Sequence, residues 1–363
     1  MSIFQHGVWS LGLDFLPDGA VTASNIFDSV ANGSTGNVGS AYAATAGKGI
    51  RLSNGTAVGR TFQTNASAFY MGFHWRTSGL PGTTNGMLVA YDSTAGSQQF
   101  NIGYNSQGQI GFYGAGGQIV STNLGNPSSA IAVSSSVFVV PNIYNFIEIY
   151  GLISATSGVL TLKVNGATAV TFSGNTKKTA NAWVNQVFPG NCQGSGVQHD
   201  FDNIYILDTT GSSPLDTFLG PGRIQTDGPS GDSATGGLNA WSFTTPQGSD
   251  HANAANIPAN TAQYNSSSTV GNRMSFTFPS LSVAQVLFLN TWITAEEDAA
   301  GVRGITPIYR KGGTDQTGTA INLTTGYGFY NQVSTTDPST GASWASEVPD
   351  AAAGCEIGVQ LTT

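Results

Sequence analysis

The sequence predicts an all-β protein, and three observations lead to that prediction. Short runs of alternating apolar and polar residues recur along the chain, without helical periodicity between them. The chain of 363 residues contains 48 glycines, which supply the positive φ angles of tight hairpin turns. Charged residues make up only 9% of the chain and aromatic residues 10%, a composition that favours packed cores over disorder.

The first two hundred residues contain a series of strand candidates. They cover residues 8–15, 49–53, 61–63, 68–76, 86–92, 98–104, 109–113, 142–153, 159–164, 169–172 and 201–208. The runs 159–164 and 169–172 flank Asn165-Gly166, the strongest hairpin signal in the chain. Asn54-Gly55 likewise predicts that residues 49–53 pair with 61–63. Many short strands joined by such turns are typical of a β-sandwich or jelly roll.

A change of composition marks the end of this series. Residues 209–240 are rich in Gly, Pro, Ser, Asp and Thr, which predicts a partly docked linker. We therefore expect a jelly-roll domain over residues 1–225 and a smaller β-sandwich over residues 226–363. The strand candidates of the second domain cover residues 241–243, 273–278, 284–293, 304–310, 327–333 and 354–361.

Charge and hydropathy exclude several classes of partner. The net charge is −8, with only 12 Lys and Arg residues, so no electrostatic footprint for nucleic acid is expected. No apolar stretch is long enough to predict a membrane span. The N-terminal residues MSIFQHGVWS lack a basic region followed by an apolar run, which predicts synthesis in a cytoplasm without a signal peptide.

Several motifs carry a resemblance to known proteins. They are the strand Phe-Tyr-Met-Gly-Phe-His-Trp-Arg at 69–76, the Asp92-Ser93 turn, the strand 146–149, the hairpin at 164–166 and the strand 200–208. Together they resemble the concanavalin A-like lectin/glucanase (laminin-G-like) jelly roll. The segments 209–224, 310–314 and 337–344 look like those of tailed-bacteriophage virion proteins that carry such a domain.

The resemblance implies a non-enzymatic virion structural protein, located on the phage tail (fibre or tip) or decorating the capsid. Its expected partners are other virion proteins, further copies of itself in a homo-oligomer such as a trimer, and host surface polysaccharide. The alternative is a polysaccharide depolymerase of the glycoside hydrolase type. A secreted lectin is disfavoured by the missing signal peptide.

The acidic residues speak against the enzymatic alternative. Glucanases of this fold use paired carboxylates, and glycoside hydrolysis requires such a pair. Glu148 is the only Glu before residue 296, and its strand neighbours Phe146 and Tyr150 are aromatic. The sequence therefore predicts no catalytic residue. His74 is expected to be packed inside a strand, and His199 to lie in a loop.

Two candidate binding sites remain. Asp200, Asp202 and Asn203 offer the oxygen ligands that Ca²⁺ accepts, although the same residues suit a strand entry. Tyr104, Tyr113 and Trp183 could form an aromatic platform for a glycan, with Tyr113 expected to be the most exposed. Aromatic residues at strand spacing also suit the core. Calcium is the only candidate cofactor.

Overall fold

The structure of the chain is a computed structural model. The structure describes residues 8–11, 18–20, 27–31, 36–45, 47–53, 55–114, 129–190, 196–233, 240–244, 251–255, 262–280, 285–298, 301–346 and 354–363. The chain divides into two compact units, residues 7–226 and residues 227–363, which we call the N-terminal and C-terminal units.

The N-terminal unit is built from short antiparallel strands and one 3₁₀ turn, Ser40–Tyr42. The strands are β1 (Val8–Leu11), β2 (Gly19–Ala20), β3 (Ser29–Ala31), β4 (Gly36–Gly39), β5 (Gly49–Ser53), β6 (Ala57–Ala66), β7 (Ala68–Thr77), β8 (Asn85–Asp92), β9 (Ser97–Tyr104), β10 (Ile110–Tyr113), β11 (Ala130–Val133), β12 (Asn145–Leu152), β13 (Gly158–Val164), β14 (Ala167–Gly174), β15 (Val184–Pro189) and β16 (Gln198–Leu207).

These strands form two sheets. The nine-stranded sheet has the order β14-β13-β12-β7-β16-β5-β4-β2, and β1 also pairs with β16. The seven-stranded sheet has the order β11-β10-β9-β8-β15-β6-β3. Phe69 of the first sheet stacks on Phe100 of the second with ring centroids 6.3 Å apart, and both are fully buried. The sheets therefore face each other as a sandwich.

Strand β7 shows how the sequence builds this sandwich. Alternate side chains of a strand point to opposite faces of the sheet. Phe69, Met71, Phe73 and Trp75 are fully buried in the core, whereas the intervening Tyr70, His74 and Arg76 are only partly buried. The aromatic run at 68–76 thus supplies a core on one face and a polar surface on the other.

Strand β16 exchanges neighbours half-way along one edge. Gln198–Phe201 pair with β5, and Ile204–Leu207 pair with β1. The exchange takes place at Asn203, which has a φ of 53°. The register with β7 on the other edge shifts at the same place, between Asp202 and Tyr205. This irregularity is a β-bulge, which turns the side chains around it.

The hairpin β13–β14 has the turn that its sequence predicts. Asn165 has a φ of 52° and Gly166 a φ of 82°, so both central residues are left-handed. Such an Asn-Gly turn matches the right-handed twist of the strands it connects. The predicted hairpin between residues 49–53 and 61–63, by contrast, is wrong. Strand β5 pairs with β4 and β16, and β6 pairs with β3 and β15.

The C-terminal unit contains smaller sheets, one short helix, α1 (His251–Ala254), and a 3₁₀ turn, Trp344–Ser346. Its strands are β17 (Gly231–Asp232), β18 (Ser242–Thr244), β19 (Tyr264–Ser266), β20 (Arg273–Thr277), β21 (Leu289–Ala295), β22 (Gly304–Lys311), β23 (Thr314–Thr317), β24 (Ile321–Asn322), β25 (Gly328–Ser334) and β26 (Glu356–Leu361). A six-stranded sheet has the order β17-β20-β26-β22-β23, with β24 beside β22. Two ribbons, β18–β19 and β21–β25, complete the unit.

The C-terminal core joins the six-stranded sheet to a ribbon. Met274, Phe276, Ile305 and Val359 of the sheet are buried together with Tyr330 of β25. The predicted all-β fold class, with sheets arranged as sandwiches, is therefore confirmed. Among the residues that the structure describes, no helix has the length and apolar character needed to span a membrane.

Candidate functional site

The outer face of the nine-stranded sheet carries a group of charged and aromatic side chains that contact one another. Its most polar part is a cluster of Arg51 on β5, Asp200 on β16 and Arg76 on β7, which we call the arginine cluster. The three residues are paired across neighbouring strands, Arg51 opposite Asp200 and Asp200 opposite Arg76. Their side chains therefore share one face of the sheet.

One carboxylate holds both guanidinium groups of the arginine cluster. Arg51 donates from Nε to Asp200 Oδ1 over 2.7 Å and from Nη2 to Oδ2 over 2.9 Å. Arg76 donates from Nε to Oδ2 over 2.7 Å. The Asp200 side chain is 3% exposed, whereas those of Arg51 and Arg76 are 27% and 22% exposed. Two partly exposed guanidinium groups thus share one buried carboxylate.

Two tyrosine rings fix the guanidinium planes. The Arg51 guanidinium lies 4.4 Å from the Tyr42 ring centroid, and that of Arg76 lies 4.7 Å from the Tyr144 ring centroid. Such cation–π contacts orient a guanidinium without using its hydrogen-bond donors. Tyr144 donates from its hydroxyl to the Tyr42 carbonyl over 2.5 Å. Burial raises the pKa of Tyr144, and the hydrogen bond to Asp200 raises the pKa of Arg51.

His74 lies on the same face, two residues before Arg76. Its Nδ1 is 3.4 Å from the Asn203 amide nitrogen, and its Nε2 has no hydrogen bond among the described residues. Burial lowers the pKa of His74 to about 4. The ring is therefore neutral near neutral pH. The prediction that His74 is packed inside a strand describes it only in part, because the side chain faces outward.

The three residues predicted to bind calcium lie together at the bulge of β16. Both oxygens of Asp200 accept hydrogen bonds from guanidinium groups, and Asp202 Oδ2 accepts one from the Ala44 amide over 2.9 Å. Asn203 Oδ1 accepts one from the Ile224 amide over 2.7 Å. Within the described ranges no group of three or more His, Cys, Asp or Glu residues could hold a metal ion. The calcium site stays a prediction.

A second row of polar residues crosses the centre of the outer face. Lys163 pairs with Glu148, Glu148 with Gly72, and Gly72 with Tyr205. Tyr205 donates from its hydroxyl to Glu148 Oε1 over 2.8 Å. A Cβ atom at Gly72 would lie 2.2 Å from Tyr205 Cε1, so the glycine makes room for the ring. Burial and Glu148 raise the pKa of Tyr205. We call Lys163, Glu148 and Tyr205 the central row.

Residues 215–224, which we call the strap, lie over the central row. The Gly220 amide donates to Glu148 Oε1 over 2.8 Å, and the Leu219 amide lies 3.3 Å from the Tyr205 hydroxyl. Glu148 is consequently 1% exposed. The arginine cluster is the open part of the outer face, and the central row is its covered part.

The residues predicted to form a glycan platform are not brought together on this face. Tyr104 is fully buried in the core, where its ring lies 5.0 Å from Trp75, so it cannot form a surface platform. Tyr113 is 3% exposed on β10 and is not the exposed residue expected. Trp183 is partly buried, and its carbonyl accepts a hydrogen bond from Gln99 over 2.9 Å. Glycan binding by Tyr113 and Trp183 stays a prediction.

His199 lies directly behind the arginine cluster, on the core side of β16 and not in the loop that was expected. The side chain is fully buried. Its Nδ1 donates to the Gly190 carbonyl over 3.0 Å, and its Nε2 accepts from the Tyr104 hydroxyl over 2.9 Å. These two bonds fit the neutral imidazole. Burial lowers the pKa of His199 to about 4.

The C-terminal unit contains a polar pocket of about 270 Å³, lined in part by Gln316, Gln332 and Ser334. Gln332 Oε1 accepts a hydrogen bond from the Thr319 amide over 3.1 Å, and Gln316 Oε1 accepts one from Ser334 over 3.0 Å. Because these amide oxygens are already bonded within the unit, we place the candidate site on the N-terminal unit.

Comparison with known proteins adds information on architecture. No family model and no curated protein sequence matches the chain. Similar solved structures include an endo-β-1,4-glucuronan lyase from the fungus Trichoderma reesei, with a TM-score of 0.41, 12% identity and coverage of 57% of this chain and 98% of that one. The alginate lyase Aly36B has a TM-score of 0.37 at 11% identity, and the match covers 55% of this chain and 96% of that one. The cellulose-induced protein Cip1 has a TM-score of 0.37 at 16% identity, and the match covers 52% of this chain and 89% of that one.

These comparisons correct two expectations. The interpretation of the chain as a non-enzymatic phage virion protein is wrong, because the similar solved structures include polysaccharide lyases. The expectation that the chain is not an enzyme is wrong for the same reason. The likeness is one of sandwich architecture, so the chemistry must come from the residues of the outer face. The expected oligomer, partners and location stay predictions.

Sequence reasoning missed the arginine cluster. Arg51 and Arg76 are 25 residues apart in sequence and meet only because β16 lies between their strands. One signal could have pointed to them. In a chain with only 12 Lys and Arg residues, an arginine in the middle or at the end of a largely apolar strand is unusual.

Proposed function

We propose that the outer face of the nine-stranded sheet binds an acidic polysaccharide and cleaves it by β-elimination. The observation that carries this proposal is the arginine cluster, in which two partly exposed guanidinium groups share one buried carboxylate. The cluster presents two partly exposed guanidinium groups at the surface of a chain whose net charge is −8. A carboxylate-bearing sugar is the ligand whose charge and shape fit it.

The unused donors of the arginine cluster support binding of a carboxylate. Arg51 uses Nε and Nη2 on Asp200, and Arg76 uses Nε on Asp200 and Nη2 on the Ala41 carbonyl. The Nη1 group of each side chain has no hydrogen-bond acceptor among the described residues. Guanidinium groups recognise carboxylates through such paired N–H donors, and ring contacts hold the planes in place beforehand.

The neighbouring residues suit β-elimination from a uronic acid. Pairing the sugar carboxylate with guanidinium groups makes the adjacent C5 proton more acidic. A base then removes that proton, its electron pair forms the C4=C5 double bond, and the C4–O bond breaks as an acid protonates the leaving oxygen. His74 is neutral, makes no hydrogen bond through Nε2 among the described residues, and can take the proton. The Tyr144 hydroxyl, which donates to the Tyr42 carbonyl in this structure, gives its proton to the leaving oxygen once it turns towards the ligand.

The geometry does not favour the hydrolytic alternative. Glycoside hydrolysis needs one carboxylate that accepts and another that donates a proton. Glu148 is bonded to Tyr205 and Gly220, and both oxygens of Asp200 are bonded to arginines. Neither carboxylate is available to water or to a glycosidic oxygen.

The test is an elimination assay with soluble polyuronates and, as a comparison, a neutral glucan. We expect the ultraviolet absorbance of the new conjugated double bond to rise only with polyuronates. Arg76→Ala should weaken binding of an oligouronate about tenfold, since one charged hydrogen-bonding partner is lost. His74→Gln should keep binding and abolish the absorbance change.

Lys178→Ala is the matched control, because it removes an exposed cation whose backbone amide bonds to Gln99 of the seven-stranded sheet. Its oligouronate affinity should equal that of the wild type. Equal binding of polyuronate and neutral glucan, or unchanged affinity of Arg76→Ala, would contradict the proposal.

A further inference from the structure

We propose that the central row is a second ligand subsite and that the strap occupies it in the resting protein. The inference rests on the proposed function for its ligand class, an oligosaccharide that extends from the arginine cluster along the outer face. The strap would leave the row when the chain is engaged there. It would therefore regulate how much of the groove a polysaccharide can use.

The central row has the donors and acceptors that a sugar needs. Glu148 is a nearly buried carboxylate that accepts hydrogen bonds from the Tyr205 hydroxyl and the Gly220 amide. Buried carboxylates require such donors. The Gly220 amide belongs to the strap, so its departure leaves an acceptor that a sugar hydroxyl can satisfy. Lys163, the neighbour of Glu148 across β12 and β13, offers an ammonium donor to a sugar oxygen.

The strap covers this row with replaceable contacts. The Phe218 ring lies 4.0 Å from Lys163 Nζ and 5.0 Å, edge to face, from the Tyr70 ring. A sugar ring can stack on Tyr70 and bond to Lys163 in the same place. The other strap contacts to the row come from the backbone amides of Leu219 and Gly220. Phe218 and these amides thus stand where sugar carbons and hydroxyls would lie.

The strap can move without disturbing the core. Asp216, Thr217 and residues 221–223 are exposed, and Leu215 is the strap residue that is buried, at 5% exposure. Segments with few buried apolar contacts open at low free-energy cost compared with core strands. Leu215 lies at one end of the strap and can remain anchored while residues 218–220 lift away.

The two subsites are close enough for one ligand. Gly72, at the level of the central row, and Arg76 are four residues apart on β7, which corresponds to about 13 Å along an extended strand. Both positions face outward on the same strand. A single oligosaccharide lying along the strand direction can therefore contact both subsites.

The test compares binding of a uronic acid oligomer to the wild type, Phe218→Ala, Phe218→Ala/Lys163→Ala, Arg76→Ala and the control Thr217→Ala by calorimetry. Phe218→Ala should bind several-fold more tightly than the wild type, because the ring that covers Lys163 is gone. Adding Lys163→Ala should remove that gain. Thr217→Ala, an exposed strap residue, should leave the affinity unchanged. Amide hydrogen exchange at Leu219 and Gly220 should be faster in Phe218→Ala, with core strands unaltered.

The outcomes separate the two proposals. If Arg76→Ala weakens binding while Phe218→Ala changes nothing, or if the gain survives Lys163→Ala, the strap inference is overturned and the proposed function stands. If no protein binds the uronic acid oligomer, the proposed function fails. Binding of a neutral glucan oligomer then tests the strap inference. Phe218→Ala should bind the glucan more tightly than the wild type does, and equal or absent binding would overturn the inference.

Discussion

Two neighbouring residues of β16, His199 and Asp200, have opposite electrostatic surroundings. Asp200 faces outward and accepts hydrogen bonds from two guanidinium groups that are themselves partly in water. His199 faces inward, is fully buried and is held neutral between the Gly190 carbonyl and the Tyr104 hydroxyl. Successive residues of one strand thus place a charge outside and exclude a charge inside.

The difference shows how one strand serves stability and ligand binding at once. The inner network is made of neutral groups, so it fixes the position of β16 only while His199 remains unprotonated. The position of the arginine cluster depends on this inner network, because the backbone of Asp200 is held in place by the adjacent His199. Changes to His199 and to Asp200 should therefore affect the free energy of unfolding in different ways as pH and salt are varied.

The largest expected effect comes from acid. The pKa of His199 is lowered from 6.5 to about 4, so the stabilisation is fully present above the unfolded pKa of 6.5 and is lost as pH falls towards 4. The shift corresponds to about 3 kcal/mol of unfolding free energy. Urea unfolding at several pH values should show this decline, and His199→Gln should flatten it. His74 titrates in the same window, so His74→Gln is the parallel control. An unchanged pH slope in His199→Gln would refute the assignment.

A smaller effect is expected on the outer side. Asp200→Asn removes the charge that holds both arginines and should lower the unfolding free energy by about 2 kcal/mol, because charged hydrogen bonds are lost at partly screened groups. Asp216→Asn neutralises an exposed carboxylate of the same unit and should change stability by less than about 0.5 kcal/mol. Urea unfolding near neutral pH measures both. Equal effects of the two substitutions would mean that the cluster contributes nothing to folding.

The smallest effect separates the two sides most cleanly. Salt screens exposed charges but not a neutral buried network, so about 1 M sodium chloride should reduce the cost of Asp200→Asn by a few tenths of a kcal/mol. The cost of His199→Gln near neutral pH should not change. The measurement is urea unfolding of the wild type and both variants at low and high salt. A salt-dependent cost for His199→Gln would show that a charge acts on the inner side.

The sequence was informative where structure is local. The β13–β14 hairpin follows from Asn165-Gly166 and two β-branched runs, because the turn and the alternation lie within twenty residues. The aromatic strand β7 and the all-β class follow from the same alternation. Asn54-Gly55 is the same signal, but the hairpin it predicts between β5 and β6 does not form, because β5 pairs with β16 and β6 pairs with β15 instead.

The candidate site depends on information that a local pattern does not hold. Periodicity predicts that alternate residues share a face but not which face is the core, so Tyr104 was a candidate for a surface platform and lies inside. The arginine cluster requires the strand order β5-β16-β7, which joins segments far apart in sequence. The covering of Glu148 by the strap likewise follows from tertiary packing of a segment whose composition indicates only a linker.

The place of β16 in the sheet has a consequence for the timing of folding. Arg51 and Arg76, which bind Asp200 of β16, precede it by 149 and 124 residues. Strand β1 pairs only with the last residues of β16, Ile204–Leu207. During synthesis the first strands must remain without their central neighbour until residues near 207 emerge from the ribosome. Such distant pairings close large loops and slow the folding reaction. The chain therefore exposes unpaired strand edges for much of its translation, and its low content of charge gives those edges little protection from one another.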